Sequence, residues 1–177
     1  MDVNMNLYFR LIWTLFRAWR LPKLQTEEVF EREFRVLPND IDVNLHMNNG
    51  RYMTVADLMT IEFFVRTGFL GLLFKRKWKP VAGGVIVTFR RQIKFGQKYR
   101  LRYRWAGCDD HWHYFLFEFL TPSGTVCAKG YSKGAMISHK GLIHTDDAFA
   151  ALDAISPDIP LPEAVVNWKE SEKRLMA

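Results

Sequence analysis

Between Asp40 and Tyr52 the chain sets two carboxylates, an imidazole and two adjacent amides within thirteen residues: Asp40-Ile-Asp42-Val-Asn-Leu45-His46-Met-Asn48-Asn49-Gly-Arg-Tyr52. A carboxylate can attack an electrophilic carbon as nucleophile, or take a proton from water as general base. A long apolar run follows at once and reads as a helix. A helix start presents unpaired N–H groups and a partial positive charge, which suits an oxygen on which negative charge develops. The same residue types also serve structure alone, because Asn48 or Asn49 can cap a helix and aspartates hold turns. Composition leaves both readings standing.

The elements that must position these groups can be read from periodicity. Glu31–Val36 predicts a short strand leading into Pro38. Arg51–Thr67 is apolar on almost every face, which predicts a buried helix with Gly68 as its C-terminal cap. Beyond Arg51 its few charges are Asp57, Glu62 and Arg66, and Glu62 reads as a solvated one. Phe69 to Pro80 reads as a loop or short helix with a basic knot at Lys75-Arg76-Lys77. From Gly83 the period changes to two: Val85, Val87, Phe89, Arg91, Ile93 and Phe95 are assigned to one strand face, and Lys98–Ala106 alternates again. Asp109-Asp110 marks a turn, His111–Leu120 a strand, Thr121–Gly124 a hairpin connection and Val126–Ser138 the last strand. Gly130 and Gly134 are expected at bulges or close backbone approaches. One buried helix followed by antiparallel strands predicts an α+β fold, a curved sheet wrapped around its helix. A short helix from Thr145, a Pro-containing linker at Ser156–Pro162 and a final amphipathic helix complete the chain.

The spacing Asp-x-Asp-x-x-x-His-x-Asn-Asn-x-x-Tyr before an apolar helix resembles the signature of hotdog-fold acyl-CoA thioesterases of the 4-hydroxybenzoyl-CoA thioesterase type. The chain also resembles the thioesterase-superfamily-member-6-like branch, through Leu45–Asn49 and through Asp109-Asp110 with Trp112 and Tyr114. The resemblance covers roughly residues 28–140 and, more weakly, the tail around Pro160–Ser171. It departs at Leu45, where many relatives carry glycine before the histidine. It implies hydrolysis of an acyl-CoA to a free acid and coenzyme A, with no cofactor and no metal. Asp42 aligns with the catalytic aspartate, as nucleophile or as base for a water. The Asn49 backbone N–H would polarise the thioester carbonyl, and His46 would orient the carboxylate, contact substrate or simply hold the turn. Asn48 reads as a cap beside the substrate, Tyr52 as a pocket residue, and Arg91 as part of a basic surface for the coenzyme A phosphates. Other hotdog thioesterases use a helix carboxylate, so Asp57 and Glu62 are rival acids. Relatives pair as homodimers or homotetramers with substrate between subunits. A different class of function is a catalytically idle hotdog module that binds acyl groups or organises a membrane complex.

The whole chain bounds these readings. At 177 residues, 49% hydrophobic and 15% aromatic, it holds one ordinary domain with additions: a helix over 1–25, the hotdog domain over 26–142 and a helical extension over 143–177. The net charge of +6 calls for an anionic partner: nucleic acid, a membrane surface or a phosphate-bearing substrate. The basic row Arg90, Arg91, Lys94, Lys98, Arg100, Arg102 and Arg104, interleaved with Tyr99, Tyr103 and Trp105, could bind RNA. A solvated strand face with aromatics turned inward explains the same pattern, so no nucleic-acid partner is assigned. Cys108 and Cys127 form no Cys-x-x-Cys pair, as suits a reducing, cytoplasmic setting. His111 and His113 lack a third metal ligand at a recognisable spacing. No Gly-x-Ser-x-Gly elbow is present, and Gly83-Gly84 is no phosphate loop.

The N-terminal segment gives two further readings. Asn6, Arg10, Thr14 and Arg17 line one narrow polar stripe of an otherwise apolar and aromatic helix. Arg10 and Arg17 interrupt any run long enough to span a bilayer, and no small-residue cleavage site follows. Residues 1–20 are therefore expected either to lie on a membrane, peripheral on its inner face, or to pack on the domain or a partner subunit.

Overall fold

The computed structural model describes residues 5–177; residues 1–4, and the side chain of Asn6 with its expected place on the polar stripe, lie outside the described residues. Five antiparallel strands curl into one sheet in the order β1-β3-β4-β5-β2, with β1 Phe30–Arg35, β2 Lys79–Phe89, β3 Lys98–Cys108, β4 His113–Leu120 and β5 Val126–Ser138. The two-residue β6, Gly141–Leu142, pairs with β5. Helix α2, Asn49–Thr67, lies against the inner face of this sheet, and α1, Met5–Arg20, packs beside it. Helix α3, Phe69–Arg76, continues from α2 after Gly68, whose left-handed φ of 88° ends α2 as expected. The order and curl are those of the expected α+β hotdog architecture.

Alternation builds the core. On β3, Tyr99, Leu101, Tyr103 and Trp105 turn inward and are buried, as are Phe115, Phe117 and Phe119 of β4. Each such side chain contributes about 1.5–3 kcal/mol by leaving water. The intervening charges pair across strands: Arg100 and Arg102 meet Glu31, Lys98 meets Glu33, and Lys129 meets Glu118. This is the solvated-face pattern, with its cations matched by acids. The outer face is covered in turn by α5, Glu163–Leu175, which seats Val165 and Trp168 on Ala106, Tyr114 and Leu116. Helix α4, Thr145–Ala150, buries Phe149 against Phe69 and Trp105.

Three expectations are corrected. The second strand begins at Lys79 and ends at Phe89, and does not run from Gly83 through Phe95. The N–H groups of Arg90 and Arg91 both donate to the Cys127 carbonyl, at 2.8 and 3.0 Å, which an extended strand cannot do. The ladder stops there, although Ile93 is buried as the alternation demanded. His111 precedes β4 and belongs to the turn, where its Nδ1 meets the Ile143 carbonyl at 3.2 Å. Glu62 is not solvated: it is 0% exposed. The guanidinium groups of Arg17, Arg32 and Arg66 lie 2.7, 3.5 and 3.4 Å from its carboxylate. Gly130 is a close approach as expected, since a Cβ there would collide with the Ile86 carbonyl and the Phe117 ring. The bulge lies in β2, between Ala82 and Gly84, opposite Gly134.

Candidate active site

The motif residues fold into a tight turn that delivers the chain to α2. Pro38–Asp40 forms one turn of 3-10 helix, and Asp40 is buried. Its carboxylate accepts two bonds from Arg10 of α1, at 3.0 and 2.6 Å, and one from the Leu37 N–H at 2.9 Å. Asp40 is thereby committed to structure. Asp42 is half-buried; one of its oxygens accepts the Asn44 N–H at 2.8 Å and the other lies 3.4 Å from Nδ1 of His46. Its backbone closes the loop, with its N–H donating to the His46 carbonyl at 3.0 Å. Leu45 takes a left-handed φ of 59° to complete the turn, a conformation that glycine adopts more readily than leucine. Met47 is buried and its N–H donates to the Ile93 carbonyl at 2.8 Å, stitching the motif loop to the basic loop 90–97.

Asn48 caps α2: its side-chain oxygen accepts the Gly50 N–H at 2.9 Å. Asn49 is the first helical residue and is exposed, so its N–H has no intrahelical acceptor. Tyr52 lies in the core between Phe89 and Phe119, 3% exposed, and burial pushes its phenol up to about 12. Arg91 is exposed on the loop 90–97 with Arg90 and Lys94, and the backbone of Lys94 pairs antiparallel with that of His46. The structure therefore gathers Asp42, His46, Asn48 and Asn49 at the start of α2, with Lys94 alongside.

A cavity of about 690 Å³ opens further along α2, between that helix, α3 and strands β2, β4 and β5. Its walls are apolar, through Met53, Ile61, Phe64, Leu70, Val81 and Phe117. Asp42, His46, Asn48, Asn49, Tyr52 and Arg91 do not line it, whereas Asp57 does. Asp57 is exposed to this space, and its apolar surroundings hold its carboxyl above the usual carboxylate range. Nearby, Thr60 shares a 2.6 Å hydrogen bond with the Tyr103 hydroxyl. His113, weighed from the sequence only as half of a metal pair with His111, also lines the cavity within a box of Phe69 and Phe149. Burial pushes its imidazole down to about 4, so the ring is neutral near pH 7. The signal for its place in the cavity is the period of two that puts it in the same row as Phe115 and Phe117. Among the described residues no three His, Cys, Asp or Glu side chains converge on a point that could hold a metal.

A turn rich in polar groups at a helix start, beside a curled sheet enclosing an apolar cavity, restricts the family, and residues 36–168 match the thioesterase-like superfamily. The chain belongs to that family. Protein THEM6 of Xenopus laevis is 32% identical over 136 residues, 75% of this chain and 63% of that protein. Protein THEM6 of Danio rerio is 28% identical over 109 residues, 62% of this chain and 52% of that protein. The chain thus spans less than two thirds of the length of these curated relatives. Among solved structures, YbaW of Escherichia coli, described as a probable thioesterase, superposes with a TM-score of 0.64 at 14% identity, covering 72% of this chain and 98% of its own. Protein SAV2348 of Staphylococcus aureus, solved in complex with CoA, gives 0.63 at 15% identity, covering 81% and 95%. Slr0204 of Synechocystis, a 1,4-dihydroxy-2-naphthoyl-CoA thioesterase, gives 0.62 at 9%, covering 71% and 95%. At these identities the structures establish the hotdog fold. Helix α1 lies outside the residues matched to the family.

Proposed function

We propose that this chain is an acyl-CoA thioesterase in which Asp42 attacks the thioester carbonyl or deprotonates a water that does so. The observation that carries the reading is the Asp42–His46 pair held at the N-terminus of α2. There the unpaired Asn49 N–H could receive the developing oxyanion and the partial positive charge of the helix could steady it. His46 orients the carboxylate, Asn48 fixes the helix start, and the exposed Arg90, Arg91 and Lys94 suit the coenzyme A phosphates. The apolar cavity suits the acyl group, and Tyr52 backs the turn from beneath. The chain's own residues supply all of this chemistry.

The arrangement acts between subunits in this reading. Strand β2 is an edge of the sheet, eleven residues long, with Val85 and Phe89 exposed along it. Such an edge is normally covered or paired, and pairing β2 with its copy would bring a second α2 towards the cavity, giving a homodimer or a dimer of dimers. A membrane contact through residues 1–20 belongs to the same proposal. One observation favours a second reading of the chemistry: Asp57 lines the cavity, carries no ion pair among the described residues, and is held towards its neutral form. A helix carboxylate would then be the base. Thiol release from a panel of acyl-CoA substrates by the purified protein tests the activity. No turnover of any member would leave the idle acyl-binding module as the better description.

A further inference from the structure

Helix α1 has two unlike faces: the inward one is mixed polar and aliphatic, and the outward one is mostly aromatic. Three polar residues face inward: Arg10 holds Asp40, the Thr14 hydroxyl accepts Arg32 at 2.7 Å, and Arg17 holds Glu62 at 2.8 and 2.7 Å. Leu7, Leu11 and Ala18 pack inward beside them, while its aromatic residues and Ile12 face out. Tyr8, Phe9, Ile12, Trp13, Phe16 and Trp19 are exposed by 63, 66, 63, 58, 43 and 83%. At 100° per residue these six side chains fall within about 140° of the helix circumference, along a rod about 24 Å long. Isolated exposed apolar residues are ordinary on a protein surface, but a contiguous stripe of this size marks a contact.

We propose that the outward face of α1 docks on the surface of an anionic phospholipid bilayer, lying in its plane. The composition selects the occupant. Trp13, Trp19 and Tyr8 carry an apolar body and a polar edge, which suits the boundary between acyl chains and headgroups. The helix contains no acidic residue, and Arg20 stacks its guanidinium 3.6 Å from the Phe16 ring centroid, a cation lying along apolar surface with its charge free for a phosphate. Lys23, exposed just beyond, adds to the same sign. A second copy is a poorer match, because an isologous contact would bring two such faces together with no carboxylate on either to meet Arg20. No helix among the described residues is long and apolar enough to cross a bilayer, so the contact is one of surface burial.

The inward ion pairs give this contact a direction. Because Arg10 grips Asp40 within the motif loop and Arg17 grips Glu62 on α2, docking α1 fixes the loop and α2 relative to the lipid. The helix cannot roll its aromatic face inward without breaking both pairs and stranding two buried carboxylates.

The test is flotation of the full chain with vesicles of phosphatidylcholine alone and of phosphatidylcholine with phosphatidylserine, beside the double variant Trp13→Ser/Trp19→Ser. Both sites are solvent-exposed, so the fold should survive, which thermal unfolding checks. The expected result is that the native protein floats with the anionic vesicles and the double variant loses about tenfold or more of that binding. Brominated lipid should quench native fluorescence but not that of the variant. Salt should weaken the binding only in part, since apolar burial remains. Equal flotation of the two proteins, or none of the native one, overturns the proposal. So does a native assembly that light scattering shows to dissociate in the double variant without vesicle binding, which would make the face a contact between copies. None of these outcomes depends on thioester turnover.

Discussion

Glu62 and Asp57 stand five residues apart on α2 and are treated in opposite ways. Glu62 is 0% exposed and met by three guanidinium groups, from α1, from β1 and from its own helix. Asp57 opens onto an apolar cavity, and no charged partner is found for it among the described residues. One carboxylate fastens an added helix to the domain. The other is left available, at a cost in its ionisation that a purely structural residue has no reason to bear. Asp42 makes a third case, a loop carboxylate wetted on one side and hydrogen-bonded on the other. The contrast teaches that the charge of a helix residue says little about its task until its partners are known.

Removing the fastened carboxylate has the largest expected effect. Glu62→Gln leaves three guanidinium groups around a neutral amide and should cost about 3–5 kcal/mol of stability, read from the denaturant midpoint. Asp57→Asn should change stability by no more than about 0.5 kcal/mol, because no pair is lost. Equal losses in the two variants would break the comparison, since Asp57 would then have a structural partner that the geometry lacks.

Activity should order the carboxylates differently. In the proposed mechanism Asp42→Asn removes the carboxylate needed either to attack or to accept a proton, while keeping the size of the side chain. A fall of about a hundredfold or more in kcat, on the order of 3 kcal/mol in the barrier, is expected, with substrate binding retained. Asp57→Asn should lose much less. If Asp42→Asn keeps near-normal turnover while Asp57→Asn is dead at matched thermal stability, the helix carboxylate is the base and the loop only shapes the mouth.

Much of this was legible in the sequence, for a local reason. The strands β1, β3 and β5, the extent of α2, its Asn48 and Gly68 caps and the Thr121–Gly124 hairpin all follow from period and capping within a short window. What could not be read depends on partners far along the chain. Glu62 reads as a solvated charge because Arg17 and Arg32 lie 45 and 30 residues away, and only the docking of α1 brings them in. The polar stripe of α1 was visible, but not that it faces inward. The alternation of Val85 to Phe95 runs past the real end of β2, since Ile93 is buried by the motif loop and not by a sheet neighbour. At the site, the turn that carries Asp42 and His46 and the Asn48 cap were legible locally, whereas the cavity and the place of His113 in its wall were not, because a cavity is what several strands leave between them.

His113 sharpens the cavity side of the comparison through pH. Its imidazole is held near 4 in the folded state against about 6.5 in an unfolded chain. Above about pH 6.5 both states are neutral there and the group adds no pH dependence. As pH falls from about 6.5 towards 4, the unfolded chain takes up a proton that the folded one refuses, so stability drops, by at most about 3 kcal/mol. Denaturant midpoints across that window should show the decline, and His113→Phe should flatten it. An unchanged slope in His113→Phe would mean that the ring is wetted and not held dry by Phe69 and Phe149.

The smallest effect concerns the loop side. Leu45 sits at φ 59°, a conformation that costs a side chain with a Cβ roughly 1–2 kcal/mol. Glycine relieves that strain but adds about 0.5–1 kcal/mol of chain entropy to the unfolded state. Leu45→Gly should therefore stabilise by no more than about 1 kcal/mol, a rise of a few degrees in Tm. The Leu45 side chain is 67% exposed, so almost no packing is lost. Leu45→Val should do the reverse, since a β-branched side chain fits the left-handed region worse than leucine does. Turnover should stay within about twofold in the glycine variant, because the Asn44 N–H and the His46 ring that meet the Asp42 carboxylate are not part of the substituted side chain and remain. A glycine variant that is less stable than the native chain, beside a valine variant that is more so, would show that the turn before His46 is not left-handed. The aim of Asp42 at the start of α2 would then have to be drawn afresh.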